Sequence, residues 1–464
     1  MEIFTKWGKQ YSANMSLFEA LGQTIIILSS LRAITDLLEK RSAIYSDRPA
    51  SVLAELTGWV WNLAFKRYGD DWRHVRRLLW RHLEPNTVGK YQPVQQREAR
   101  RFLKRILQDQ RDLDRQIKLS FSTTILTAVH GLPPQDVTYH YVNILNNAED
   151  GIAETFAPGA HLVEFFPWLQ HLPAWLPGQG WKKKLPEWQA QDDTIREQPY
   201  CAAKAALGRE DAKTSMMSEL YETVTQLEGD EAAEQEKIVK ETTAVAFGAG
   251  VDTSSATVLA FFCAMILHPE AQKRAQEELD VVIGPDRLPE HADRPALPYI
   301  EATVKEILRW HNVAPLGVSH RCMEEDAYRG WRIPKGSVIV PNAWAMLHDP
   351  EVYPEPDAFC PDRFLKNGAL DPDVPDPESI AFGFGRRICP GRHFANDALF
   401  ISIASILHVF AIEHALDEHG QPISVEVKMT SGFLSYLEDF AYSIRPRSKH
   451  AETLIRADTE SGDP

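Results

Sequence analysis

The longest apolar run in the chain lies between Thr242 and Leu267, where Asp252 is the only charged residue. As a helix rising about 1.5 Å per residue, the run would span roughly 40 Å, enough to cross a large domain. A membrane span is the competing interpretation. One carboxylate, six Thr or Ser and two Gly make a poor span, so a buried central helix is expected. Helical spacing also covers residues 94–130, 189–227 and 233–268. Early in the chain, "TIIIL" predicts a short buried strand, and "LRAITDLLEKRS" a helix ending before Arg48-Pro49. The segment "YRGWRIPKGSVIVPNAWAML" predicts a hairpin turning at Pro-Lys-Gly. Pro-rich "FFPWLQHLPAWLPG" (165–178) predicts a turn-filled connection with an exposed apolar face. No repeat or long flexible linker interrupts the pattern, so residues 1–464 are expected to form a single domain. Its class is mainly α with a small β portion, α+β.

Composition narrows the functional classes. With 44% hydrophobic residues, 12 Trp and 20 Phe, the chain is not a disordered protein. A net charge of −15 argues against general nucleic-acid binding. Five cysteines (201, 263, 322, 360 and 389) contain no C-x-x-C pair, which argues against a disulfide framework or a structural zinc site. No apolar h-region marks a signal peptide in "MEIFTKWGKQYS".

One cysteine stands apart. In "AFGFGRRICPGRHFA", Phe382, Gly385, Arg387, Cys389 and Gly391 form F-x-x-G-x-R-x-C-x-G just before a helical run. A lone cysteine is ordinarily a small buried hydrophobe. Here the sulfur faces a helix start, whose unpaired N–H groups and dipole favour thiolate. Glycines let a flat ligand approach the backbone, and Arg387 can pair with an anionic group on that ligand. A thiolate bound to haem iron meets all these demands.

The segment resembles the haem-binding loop of the cytochrome P450 monooxygenases. The resemblance extends over nearly the whole chain, in order from Trp72 to Cys389. It implies the family's fold, a single large helical domain with its long central helix across haem b, and Cys389 as the iron's axial ligand. Ala249-Gly250-Val251-Asp252-Thr253-Ser254 is similar to the family's oxygen-activation motif. Thr253 would then hydrogen-bond the oxygen being activated, and Asp252 would help feed it protons through water. Glu306 and Arg309 in "EATVKEILRW", with Arg363 in "PDRF", would form a buried charge network bracing the cysteine loop. Asp362 stands where the family often has Glu. Trp72 and Arg76 fit W-x-x-x-R and would reach a haem propionate, as would His320 in "APLGVSHRC", with Arg321 a second candidate. Phe382 and Gly391 would line the haem. Phe247, Ala249, Val313 and Leu316 would line the substrate pocket, the last two from a strand edge.

Arg73, Arg77 and Arg81 recur every four residues and form a basic stripe within an acidic chain. Such a stripe is either a solvated face or a docking patch for an acidic electron donor, which Arg386 and Arg392 would extend. By resemblance the donor is NADPH-cytochrome P450 reductase, with cytochrome b5 as a second candidate, and the protein is a monomer.

"DLLEKRSAIYSDRP" and the Pro-rich segment resemble fungal microsomal members in particular. Those members usually open with a membrane helix and a Pro-rich hinge, and the sequence as given shows neither. The family setting is the cytoplasmic face of the endoplasmic reticulum; without the anchor, a soluble or peripheral protein is expected. "TSGFLSYLEDF" lacks the prolines often found in that loop. The expected activity is insertion of one atom of O2 into a lipophilic terpenoid, polyketide or aromatic xenobiotic. Its competitors are a thiolate enzyme that uses peroxides or rearranges its substrate, and a non-catalytic haem-binding protein. The Asp252-Thr253 pair argues against the first competitor, and the intact motifs argue against the second.

Overall fold

The computed structural model describes residues 15–156, 159–209, 213–430 and 432–458. Helix dominates, and each long helix carries an apolar face turned inward. The elements that position the site are α1 (Asp70–Leu83), α2 (Gln92–Gln108), α3 (Leu113–Ile125), α4 (Tyr139–Thr155) and α5 (Leu185–Ala206). They continue with α6 (Met216–Val224), α7 (Gly229–Leu267), α8 (Pro269–Val282), α9 (Pro298–Trp310), α10 (Arg392–Val409) and α11 (Lys449–Asp458).

The apolar run is the central helix. From Val239 to Ile266 most residues of α7 are buried, and Phe247, Phe261, Phe262 and Cys263 are fully so. Among the described residues it alone is long and apolar enough to cross a membrane, and 83% of its most apolar window is buried inside the protein. It is therefore a core helix. Small residues let it pack closely. A Cβ on Gly250 would lie 2.7 Å from Cδ1 of Ile125 on α3.

Two of the expected helices are each divided. Residues 94–130 become α2 and α3, separated at Asp112, which adopts a positive φ of 53°. The Asp109 carboxylate accepts the Arg111 N–H and ends the first helix with a local turn. Residues 189–227 likewise divide into α5 and α6, and a Ser215–Ser218 capping box starts the second helix.

"TIIIL" falls inside β2 (Gln23–Leu28). It pairs antiparallel with β1 (Met15–Ala20), which hydropathy alone had not marked. The four-stranded sheet runs β1-β2-β6-β3, with β2 parallel to β6 (Val338–Pro341) and β6 antiparallel to β3 (His320–Arg321). The expected hairpin turns elsewhere. Arg329 and Gly330, both at positive φ, join β4 (Asp326–Tyr328) to β5 (Trp331–Ile333). Pro-Lys-Gly instead carries the chain into the other sheet. Two consecutive positive φ values suit a two-residue hairpin, whereas Pro334 begins a turn closed by the Ser337 N–H on the Pro334 carbonyl, with only Gly336 at positive φ. The Pro-rich connection holds short 3₁₀ turns and leaves Trp168 and Trp175 exposed, as its composition implied.

The cysteine loop sits between α9 and α10. Gly385 has φ +54°, and any Cβ there would be driven into the carbonyl oxygen of Leu38. This glycine therefore docks the loop onto residues 35–39, while Phe382, Gly383 and Gly391 are the ones that face the cavity. Gly385→Ala should lower thermal stability and haem retention together. Melting temperature and the ratio of Soret to protein absorbance check this, with Gly420→Ala, at an open surface turn, as the mild comparison.

Candidate active site

A cavity of about 320 Å³ lies between α7 and the cysteine loop. Its walls bring together Trp72, Arg76, Ala249, Thr253, Val313, His320, Phe382, Arg387, Cys389 and Gly391, residues far apart in sequence. The sulfur-bearing loop forms one side. Val245, Ala246, Ala249, Gly250 and Thr253, spaced three and four apart along α7, form part of the facing side.

Cys389 lies three residues before α10, and its N–H donates to Phe382 O at 2.8 Å. Burial pushes its thiol up, while the Gly391 N–H and the charges of Arg76 and Arg392 pull it down. The upward push prevails, so the helix start alone does not ionise this sulfur. A bound metal deprotonates a coordinating thiol outright.

Positive charge is concentrated at one edge of the cavity. Arg387 donates to Ser46 O at 2.7 Å, Leu63 O at 3.2 Å and Lys66 O at 2.9 Å, and lies 4.3 Å over the Trp72 ring. Arg48 donates to Ala64 O, Val318 O and Ser319 O. Arg76 makes no hydrogen bond or ion pair with any described residue. Burial lowers Arg387 to about 9 and Arg76 to about 10, and it pulls Arg48 well down, with the Arg387 charge adding to that effect. His320 receives no proton there. Burial, then Arg48, hold it well below its usual value, and its Nδ1–H donates to Tyr45 O at 2.7 Å. Among the described residues, no Asp or Glu lines the cavity. The nearby Asp47 is already held by Arg67 and the Tyr68 N–H. The Trp72 Nε1–H is buried without an acceptor. Guanidinium groups buried this way call for an anionic partner. Haem fits the donor set: a thiol on one face, and basic groups with an unpaired indole N–H for its propionates. Arg48 was missed in the sequence because an Arg-Pro at a loop start carries no motif.

The two residues expected to act in oxygen activation divide between two faces of α7. Thr253 faces the cavity, and its hydroxyl donates to Ala249 O at 2.8 Å. Asp252 does not line the cavity; its Oδ2 accepts the Tyr436 hydroxyl at 2.5 Å. Phe247 also departs from expectation. It is fully buried edge-on to the His130 ring, because it lies on the helix face opposite Ala249 and Thr253. Leu316 does not line the cavity either, whereas Ala314, Gly317 and Val318 do. The Gly317 N–H closes a turn on Ala314 O with φ +55°, so the alternation expected of a strand does not apply before His320. Arg321 is likewise not in the wall; its backbone N–H donates to Asp47 O.

Glu306 and Arg309 are wholly buried and paired in a fork, with Nε–Oε2 2.7 Å and Nη2–Oε1 2.9 Å, and Arg363 joins at 3.1 Å. The network holds carbonyls of Leu347, Pro356 and Ala358 and the Cys360 N–H. It thus braces the segment leading to the cysteine loop and, among the described residues, makes no hydrogen bond to the loop's own Phe382–Gly391 stretch. Nearer the loop, α9 is tied through Lys305, which bonds Asp376 at 2.6 Å and Glu378 at 3.3 Å, a few residues before Phe382. Asp362 pairs with Arg274. Arg73, Arg77 and Arg81 form an exposed row on α1. Arg386 meets that row at Tyr68, where its own guanidinium and that of Arg73 both lie over the ring. Arg392 is half-buried on Trp80.

Comparison with known proteins agrees with this geometry. The cytochrome P450 family profile matches residues 1–434. Cytochrome P450 monooxygenase COX2 of Coprinopsis cinerea is 38% identical over 99% of this chain and 87% of its own length. Cytochrome P450 monooxygenase ple1 of Rhodocybe pseudopiperita is 38% identical over 98% of this chain and 87% of its own length. Cytochrome P450 monooxygenase claR of Ampulloclitocybe clavipes is 38% identical over 98% and 84%. A zebrafish cytochrome P450 solved with abiraterone superposes with a TM-score of 0.76 at 24% identity, over 96% of this chain and 99% of the other. The chain belongs to the cytochrome P450 family, whose members are haem-dependent monooxygenases, and these three monooxygenase relatives are fungal.

Glu306→Ala would leave Arg309 buried without its partner and should cost about 3–5 kcal/mol. A lowered melting temperature with loss of bound haem is the expected result; Glu306→Gln should recover only part of it.

Proposed function

We propose that the protein inserts one oxygen atom from O2 into a lipophilic small molecule, with electrons from NADPH delivered by a reductase. The observation that carries this reading is the convergence of the Cys389 sulfur, the Thr253 hydroxyl, the buried guanidinium groups of Arg48 and Arg387 and the half-buried one of Arg76 on one cavity, with no carboxylate among its described lining residues. Haem, when bound, supplies the binding and reductive splitting of O2. Cys389 would hold its iron. Arg48, Arg76, Arg387 and Trp72 would take its propionates; His320, whose Nδ1–H is spent on Tyr45 O, would join them only as the imidazolium that a propionate charge favours. Phe382 and Gly391 would give it a flat seat.

The remaining chemistry belongs to the chain. Thr253 presents a hydroxyl at the cavity wall, able to pass a proton toward it while its oxygen stays placed by the helix. Asp252, one residue earlier, is the acid that would restore that proton. Val129, Val245, Ala246, Ala249 and Val313 make the substrate end apolar, which supports a terpenoid, polyketide or aromatic substrate held mainly by burial. The exposed row Arg73, Arg77 and Arg81, continued by Arg386, supports docking of an acidic donor, the reductase first and cytochrome b5 second. We place the protein at the cytoplasmic face of the endoplasmic reticulum, acting as a monomer.

Cys389→Ser should lose the red-shifted Soret band of the reduced carbon monoxide complex; an unchanged band would refute the ligand assignment. Turnover should need NADPH and reductase, and turnover on hydroperoxide alone would favour a peroxide-using enzyme. Reversing the charges of Arg73, Arg77 and Arg81 together should slow reductive flux severalfold at low salt, leaving the substrate-induced spectral change intact. Stopped-flow reduction checks this, and an unaltered rate would remove the docking assignment.

A further inference from the structure

Behind α7, on the side away from the cavity, four elements bring ionisable groups into one buried cluster. Asp252 is only 3% exposed. Its Oδ2 accepts the Tyr436 hydroxyl, which comes from the C-terminal loop. Its Oδ1 is buried with no donor among the described residues. Beside it stands Glu149 of α4, whose Oε2 accepts from Lys118 Nζ of α3 at 3.1 Å. Glu149 Oε1 is also buried without a donor. Lys118 additionally donates to Asn146 Oδ1 at 3.0 Å and lies 3.8 Å from Asp114 Oδ2. The Asp114 side chain is 45% exposed, against 12% for Lys118.

Two adjacent buried carboxyl groups, each with one unserved oxygen, form an unfavourable pair if both are ionised. A single proton shared between those oxygens satisfies both at once. We propose that Glu149 holds this proton and hands it to Asp252, with Lys118 and Tyr436 fixing the two carboxyl groups, so that protons reach Asp252 from the Asp114 side. The proposal rests on the proton-supplying role given above to Asp252 and Thr253 and extends it to the source.

The electrostatics assign the proton within the pair. Burial, then the Asp252 charge, push Glu149 well above the usual carboxyl range, and Lys118 only partly opposes them. Asp252 is raised by burial too, but the hydrogen bonds from Glu149 and Tyr436 pull it back. Tyr436 itself is pushed far up by burial and by the two acids, so it stays a neutral donor. Lys118 stays charged, raised by Glu149 and Asp114 against the effect of its burial. Asp114 is raised by burial, and Asp439 adds its charge there.

The proton count closes. Each turnover converts substrate, O2, two electrons and two protons into hydroxylated product and water, the electrons coming from NADPH. The Glu149 O–H bond breaks as an Asp252 O–H bond forms, and Asp252 then releases that proton toward Thr253, returning to the carboxylate. Glu149 then takes a proton from the Lys118 ammonium, which recovers one from solvent beside Asp114. Glu149 touches neither substrate nor cofactor and acts through Asp252, so it is a positioning residue.

The test combines infrared spectroscopy of the resting ferric holoenzyme with turnover. Wild type should show the carbonyl stretch of a buried neutral carboxyl at pH 7, absent in Glu149→Gln and kept in Thr253→Ala and Asp252→Asn. Glu149→Gln should also lower product per NADPH severalfold, raise peroxide release and steepen the loss of coupling as pH rises, and Glu149→Asp should recover part of this. A band that survives in Glu149→Gln, or a variant as tightly coupled as wild type, overturns the proposal. So does a band lost only in Asp252→Asn. If Glu149→Gln fails to take up haem, Tyr436→Phe and Lys118→Met decide: both should shift the band and reduce coupling, and no change in either rejects the relay. Tight coupling in Thr253→Ala would instead reject the role of the Asp252-Thr253 pair, whatever the band shows.

Discussion

Burying a guanidinium group without an anion is among the less favourable things a fold can do, and this structure does it with Arg48 and Arg387, and in part with Arg76, around one cavity. Backbone carbonyls take most of the Arg387 and Arg48 donors, so hydrogen bonding is satisfied while net charge is not. Arg76 has neither kind of partner among the described residues. The architecture follows from holding these groups in place. Residues 46–66 wrap Arg387 with their carbonyls, α1 lays Trp72 across its face, and Gly385 seats the loop on residues 35–39. The cavity therefore has a cationic edge held in place by the fold, and the sulfur of Cys389 lies in its wall.

The same economy governs the central helix. One face of α7 is small and apolar where it meets the cavity, the other carries Asp252 into a cluster with α3, α4 and the C-terminal loop. A single residue step, from Asp252 to Thr253, connects the two faces by about 100° of rotation. The carboxylate is thus kept out of the cavity, where its charge would oppose an apolar ligand, yet stays adjacent in sequence to the hydroxyl that lines it. The C-terminal loop joins both sides as well: Tyr436 reaches Asp252, and the Ser435 N–H donates to Val313 O at the cavity wall.

Much of this was legible in the sequence because it was carried by residue types with few alternatives. A lone carboxylate in an apolar run, glycines around a cysteine and an arginine two residues before it each admit few physical explanations. Periodicity located α7 and the basic stripe of α1 for the same reason. What escaped was set by tertiary packing. Arg48 and Lys305 sit in no motif, and their roles depend on which carbonyls and acids the fold brings to them. Phe247 and Leu316 were misplaced by local geometry, one by its helix face and the other by a turn where a strand was expected. The breaks between α2 and α3 and between α5 and α6 depend on capping side chains, whose signal is short compared with the hydrophobic period. Glu149 and Tyr436 carry no pattern in sequence and become visible only when α4 and the loop meet α7.

The claim on which the account depends is that the cationic edge of the cavity exists to receive two carboxylates of a macrocycle whose iron Cys389 binds. The direct measurement is competition between haem and its dimethyl ester for the apoprotein, read by the Soret band. The account predicts that haem wins by orders of magnitude in wild type, and that Arg48→Leu combined with Arg387→Leu narrows the difference sharply. Equal binding of the two porphyrins, with the same iron–thiolate spectrum, would contradict it.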